Sequence, residues 1–155
     1  MHDLVPDNLS PATLEAFLRE KIPLTRAMGL RVAASDAQQL VLEAPLEPNI
    51  NHLGTAFGGS LHTLPTLACY ATLWMILREA GLDGHVVVRH SSADYRAPVT
   101  GTLRARCARP STALVADFLA ELRRHRKARL ELQATVDGEN EKPAVLFAGS
   151  FVALL

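Results

Sequence analysis

The chain has 155 residues with 16 basic and 16 acidic side chains, so its formal charge is zero and its isoelectric point is near 7.0. That length suits one domain. The even charge excludes a dedicated nucleic-acid binder, which shows a basic excess, and 48% apolar against 21% charged residues excludes a disordered chain.

Ser10 followed by Pro11 is a helix start, an N-cap residue with proline at the first helical position. Leu14, Phe17, Leu18 and Ile22 then recur at helical spacing until Pro23. Residues 1–29 therefore read as an N-terminal helical segment of a single domain, 1–155. They hold no long apolar stretch, so no secretory leader is expected. Past Gly29, residues 30–34 and 40–46 are expected as strands joined by a turn over 35–39. In the second, Leu40, Leu42, Ala44 and Leu46 share one face, with Val41 and Glu43 on the other.

No Asp, Glu, Lys or Arg stands anywhere from Pro48 to Leu77. The polar start of this gap, up to Phe57, reads as a loop. Gly58-Gly59 then opens a long central helix, 58–80, ended by Gly81. A membrane span needs roughly 20 apolar residues. The apolar run from Leu64 to Leu77 is shorter and contains Pro65, so it is expected to be a core helix, apolar nearly all round because protein encloses it. Pro65 predicts a kink or an irregular first turn.

Residues 85–95 and 101–108 are expected as strands around the turn Ala97-Pro98-Val99-Thr100. Ser111 begins a shorter helix carrying Leu114, Phe118 and Leu122. Residues 128–136, which alternate well, and 144–154 close the chain as strands, with Asp137-Gly138 and Pro143 between them. The class is α+β: an antiparallel sheet of about six strands with one face on the central helix. The other face carries residues such as Arg104, Arg106 and Glu131, and is wet or meets another subunit.

This order, and the loop in particular, resembles the hotdog fold of acyl-CoA thioesterases. Asn51-His52-Leu53-Gly54-Thr55-Ala56-Phe57-Gly58-Gly59 is similar to that family's loop N-x-x-G-T-x-H-G-G, and Tyr95-Arg96-Ala97-Pro98-Val99 followed by Gly101 to its strand-end signature. The stretch GTAFGGSL, Gly54 to Leu61, matches the small thioesterase domains that also occur fused behind GNAT-type acetyltransferases. The resemblance covers roughly residues 22–155. It implies a homodimer or a dimer of dimers, with an acyl-CoA or acyl-carrier-protein thioester bound between subunits. The backbone N–H of Gly59 would hold the carbonyl, since a helix start offers free donors and a positive dipole end. Asn51 would position water or carbonyl. Gly54, Thr55, Phe57 and Gly58 would line the substrate site, and no cofactor would be needed beyond the coenzyme A part of the substrate.

The family also places a carboxylate on the central helix seven residues after the second glycine. That position here is Thr66, and the usual histidine before the glycines is Phe57. A threonine hydroxyl can hold a water but accepts no proton at neutral pH. Thr66 is thus either a water-positioning residue of the pocket or a helix hydroxyl bonded to the carbonyl four residues back. His62, on the first turn, belongs to a residue type that ionises near neutral pH. It stands as a substrate-binding residue, a base, or a satisfied polar side chain.

On the strand before Tyr95, alternation puts His90, Ser92 and Asp94 on one face and Ser91 on the other. Ser92 is taken as substrate-binding, and Asp94 as the partner of a nearby arginine. The basic run Arg123-Arg124-His125-Arg126-Lys127 with Arg129 is either a solvated helix end or a contact for the phosphates of coenzyme A. Cys69 and Cys107 show no CxxC or zinc spacing and the histidines no metal motif. No metal and a reducing, cytoplasmic location are expected.

Two functions from different classes follow from the resemblance and its departures. The first is hydrolysis of an acyl thioester. The second is an acyl-thioester binding module that does not hydrolyse, because the carboxylate is missing. A hotdog dehydratase fits less well, since no histidine pairs with a helix carboxylate.

Overall fold

The computed structural model describes residues 9–155. Residues 1–8 of the expected N-terminal segment lie outside the described residues. Ser10 caps α1 (Pro11–Lys21) by accepting the Thr13 N–H at 3.2 Å. A short α2 (Leu24–Met28) follows Pro23 and ends at Gly29, whose φ of +72° is the left-handed conformation that glycine adopts without strain. Leu14 and Leu18 of α1 are fully buried, and Phe17 stacks on Trp74 with ring centroids 4.0 Å apart.

The strands are β1 (Arg31–Ser35), β2 (Gln39–Ala44), β3 (His85–Tyr95), β4 (Leu103–Ala108), β5 (Lys127–Asp137) and β6 (Pro143–Leu154), and the order across the sheet is β1-β2-β4-β5-β6-β3. Among the described residues every strand pairing is antiparallel. β3 and β4 are neighbours in the chain but not in the sheet. β4 lies between β2 and β5, whereas β3 is an outer strand that, among the described residues, pairs only with β6. The 85–95 strand therefore ends the sheet on one side, and the chain crosses the sheet to begin β4.

The central helix α3 (Gly58–Glu79) spans 22 residues, and the sheet wraps around it. Its middle and C-terminal parts are buried almost continuously from Leu64 to Leu77. By length and composition it could cross a membrane, yet most of its apolar window is enclosed by the strands, as in a core helix. The charge gap is thus the loop plus this enclosed helix. A charge in the helix interior would be desolvated without a partner, at a cost of several kcal/mol.

Of the two expectations for Pro65, a kink or an irregular first turn, the second does not occur: α3 runs as one helix from Gly58 through Pro65 to Glu79. The proline is buried, as are Leu64 before it and Leu67 after it. Hydroxyls on either side bond back along the helix: Thr63 donates to the Gly59 carbonyl at 2.8 Å and Thr66 to the His62 carbonyl at 2.7 Å.

The last helix, α4 (Thr112–His125), is capped by Ser111 and buries Phe118 and Leu122 while leaving Leu114 exposed. On the outer sheet face Arg104 pairs with Glu43, and Arg106 makes two hydrogen bonds to Asp137 at 2.8 and 2.9 Å. The architecture is the hotdog arrangement, a six-stranded antiparallel sheet around one long helix.

Candidate active site

Two asparagines build the loop that delivers the chain to α3. Asn49 is buried and donates its side-chain amide to the carbonyls of Met28 at 2.9 Å and Pro45 at 2.8 Å. The Asn51 Oδ1 accepts from the backbone of Leu53 at 2.8 Å and of Thr55 at 3.2 Å. Its Nδ2 donates to the Thr55 hydroxyl at 2.9 Å and to the Ala56 carbonyl at 3.4 Å. This is an Asx-type turn in which the whole side chain shapes its own loop. Gly54 takes φ +78° at the apex, and a main-chain bond from Ala56 to Val99 ties the loop to the segment before β4.

The loop ends at Phe57, which starts α3 without a side-chain cap. The first N–H to close a helical bond is that of Leu61, to the Phe57 carbonyl at 3.0 Å. The amides of Gly58, Gly59 and Ser60 precede it and have no partner within the helix. Gly59 is exposed, and the Phe57 ring occupies the space a β-carbon on it would need. Its φ is not in the left-handed region, so glycine is required here for close approach rather than for conformation.

Along α3 the half-exposed positions Gly58, Ser60, His62, Thr63, Thr66 and Tyr70 continue from this start. His62 and Thr66, four apart, share a face. The His62 Nδ1 lies 3.5 Å from the Thr66 Oγ1, its Nε2 lies 3.3 Å from the Ser91 Oγ, and the Phe147 ring meets the imidazole edge-on at 5.3 Å between centroids. Helix α3, edge strand β3 and strand β6 therefore converge on one imidazole.

Ser91 reaches this point through a bulge. Val88 pairs with Phe151 and His90 with Ser150, so Arg89 is an extra, unpaired residue. Before the bulge Val86 and Val88 share the phase of the inward residues Ala153 and Phe151. After it, Ser91 and Ala93 take that phase, opposite Gly149 and Phe147. Ser92 is thereby turned to the outer face, away from α3, where it lines a shallow depression with Asp94, Gln133 and Ala148. The serine that faces the helix is Ser91, a residue that sequence reasoning placed on the other face without assigning it a role. An unpaired arginine inside a strand has no sequence signature, so the phase change was not legible. Gly149 opposite Ser91 keeps the site open, because a β-carbon there would strike the Phe151 ring.

The other candidates lie apart. Asp94 pairs with Arg96 at 2.9 Å. The basic run sits where α4 meets β5, with Lys127 opposite Leu154 at the far end of the sheet from the α3 start. Cys69 and Cys107 are buried and unlinked. Among the described residues no three His, Cys, Asp or Glu side chains are grouped to hold a metal ion.

Residues 11–155 match the model of a family described as putative thioesterase (yiiD_Cterm). A protein of unknown function from Chlorobaculum tepidum is similar in structure with a TM-score of 0.88 and 34% identity, over 94% of this chain and 97% of that one. A putative thioesterase from Shewanella oneidensis has a TM-score of 0.83 and 28% identity, over 94% and 97% of the two chains. A thioesterase from Haemophilus influenzae shares the fold at 12% identity, with a TM-score of 0.70 over 95% of this chain and 92% of that one.

Proposed function

We propose that this chain, which belongs to the putative thioesterase family, hydrolyses an acyl thioester carried on coenzyme A or on an acyl-carrier protein. The observation that carries this reading is the uncapped start of α3, where the amides of Gly58 and Gly59 stand free at the end of a loop locked by Asn49 and Asn51. A thioester carbonyl set against the Gly59 N–H becomes more electrophilic, and the tetrahedral oxyanion formed by attack of water is stabilised by that donor and by the helix dipole. Collapse of the adduct breaks the C–S bond and releases carboxylate and thiol. Water is the only co-substrate, so no cofactor is called for.

In this reading Asn51 serves the reaction by fixing the loop that aims the glycine amides, and Gly54 and Thr55 are parts of that loop. Phe57, Ile50 and Leu53 are large apolar side chains left exposed around the helix start. They suit the apolar part of an acyl group or the surface of a second copy. A dimer is supported by β3, an outer strand of 11 residues paired with β6 along one edge and open along the other, on which Val87, Val88 and Tyr95 are all about half exposed. A long apolar edge of this kind is normally paired or covered. A second copy adding its own β3 would continue the sheet and bring its residues beside the polar stripe of α3.

The test is release of free thiol from a panel of acyl-CoAs of graded chain length, followed with a thiol indicator. Turnover well above the uncatalysed rate is expected for at least one of them. No turnover by the folded protein on CoA or carrier-protein thioesters would overturn the reading. The binding-only alternative is favoured by Thr66, whose hydroxyl proton goes to the His62 carbonyl. It would be established by an acyl-CoA that binds and stays intact while Thr66→Asp cleaves it.

A further inference from the structure

The helix carries no carboxylate near Gly59, and Thr66 has no basic atom, so neither supplies the proton acceptor that the proposed hydrolysis needs. We propose that His62 is the general base, held in one tautomer by Thr66 and aimed at the attacking water by Ser91. This rests on the thioesterase reading above and names a residue that acts within it.

The tautomer follows from counting protons. Thr66 has one hydroxyl proton and gives it to the His62 carbonyl at 2.7 Å. Toward the ring it presents only lone pairs, so the His62 Nδ1, at 3.5 Å, is the donor in that contact. A neutral imidazole with its proton on Nδ1 has its basic lone pair on Nε2. That nitrogen points at Ser91, whose Oγ lies 3.3 Å away. In the resting site that lone pair accepts the Ser91 hydroxyl proton, and a water entering between the two would donate to Nε2 and accept from Ser91. The edge-on ring of Phe147 fixes the imidazole plane from a third element. No carboxylate ion-pairs with His62 among the described residues. Its polar neighbours are Thr66 from its own helix and Ser91 from β3.

The step balances without a further reactant. The water oxygen attacks the thioester carbon while one of its protons passes to Nε2, giving imidazolium and an oxyanion at the Gly59 amide. The oxyanion collapses, the C–S bond breaks, and the leaving thiolate takes the proton back from Nε2. Products are the acid and the thiol, and His62 returns to its starting tautomer. His62 lies three residues after Gly59, one helical turn on, so base and oxyanion donor come from adjacent turns of one rigid element.

The experiment uses the full-length protein and the acyl-CoA it turns over fastest. His62→Ala and His62→Gln are each expected to lower kcat about 100-fold or more, with KM changed far less. Free imidazole should restore part of the His62→Ala rate, with rescue growing as the basicity of the added imidazole rises. Adding Thr66→Asp to His62→Ala should also restore turnover, by supplying a base from another position. Ser91→Ala should cost about 10-fold in kcat, and Ser91→Thr should recover it. Circular dichroism of each variant separates lost chemistry from lost folding. Turnover in folded His62→Ala equal to wild type, or no imidazole rescue, overturns the assignment while leaving the thioesterase reading intact. An acyl group found on Ser91 after acid quenching overturns the water-positioning role. Wild type without turnover overturns both.

Discussion

The ring of Phe57 lies against the Cα of Gly59, in the volume a β-carbon there would fill. One residue thus precedes the first turn of the helix and borders the glycine whose amide is proposed to hold the carbonyl. The ring is 54% exposed and has room to swing outward.

Gly59→Ala is therefore expected to push the Phe57 ring aside and place a methyl group where the thioester must approach. The backbone N–H remains, but if the methyl group keeps the carbonyl from reaching it, kcat/KM should fall by up to about 100- to 1000-fold, the cost of losing an oxyanion donor. The melting temperature should move little, because the displaced ring gives up little buried surface. Steady-state kinetics beside thermal unfolding checks the contrast. Wild-type kinetics in this variant would remove Gly59 from the site.

Asn51→Ala should act on the loop first. It removes the acceptor for the Leu53 and Thr55 amides and the donor to the Thr55 hydroxyl. The loss should be about 1–2 kcal/mol of stability, as several part-buried hydrogen bonds disappear together. Activity should fall further than stability predicts, since the loop aims Gly58 and Gly59. Urea denaturation and kcat on one preparation separate the two effects. Asn51→Asp keeps the acceptor oxygen and should recover most of the stability.

The parts of this molecule written in local periodicity were legible in the sequence. The Ser10 cap, the long α3, the Ser111 cap and the alternation of β5 all occur where spacing places them, because each depends on neighbours within a few residues. The sheet order was not legible, since pairing β3 with β6 rather than β4 is decided by how the strands wrap the helix. The bulge at Arg89 had the same character. One extra residue reversed the phase of β3, and with it which serine meets His62. Asn49 escaped notice for a related reason: its partners, Met28 and Pro45, become neighbours only when α2 packs beside the loop.

The two thiols offer a prediction tied to pH. The Cys69 thiol is pushed well above the ordinary thiol range, first by its hydrogen bond with Cys107 and then by burial, while the same bond lowers Cys107, so the first proton lost by the pair comes from Cys107 and the second is held by Cys69. A thiol reagent at pH 8 should find no reactive cysteine in the native protein and two after denaturation. Because the folded state holds the Cys69 proton more tightly, this contribution to stability is complete below about pH 8.5, the ordinary thiol value, and is lost as pH rises beyond it. The urea midpoint should thus drop between pH 8 and pH 10, and by less in Cys69→Ala. An equal drop in both would show that Cys69 contributes nothing to the slope.

The free edge of β3 gives the sharpest test of assembly. Val88 has the inward phase and sits opposite the fully buried Phe151, yet it is 48% exposed, so its own chain covers only about half of it. If a second copy pairs along this edge, a charge at that point must be buried without a partner, which costs several kcal/mol. Lysine is also a residue that natural sheet edges carry to prevent such pairing. If the chain dimerises along this edge, Val88→Lys is expected to give a folded monomer where the wild type is a dimer, seen by light scattering with circular dichroism unchanged. Turnover should fall with the dimer, because the polar stripe of α3 faces the same edge and would lose the wall supplied by the second copy. A variant that stays dimeric would place the interface elsewhere, and a fully active monomer would show that one chain builds the whole site.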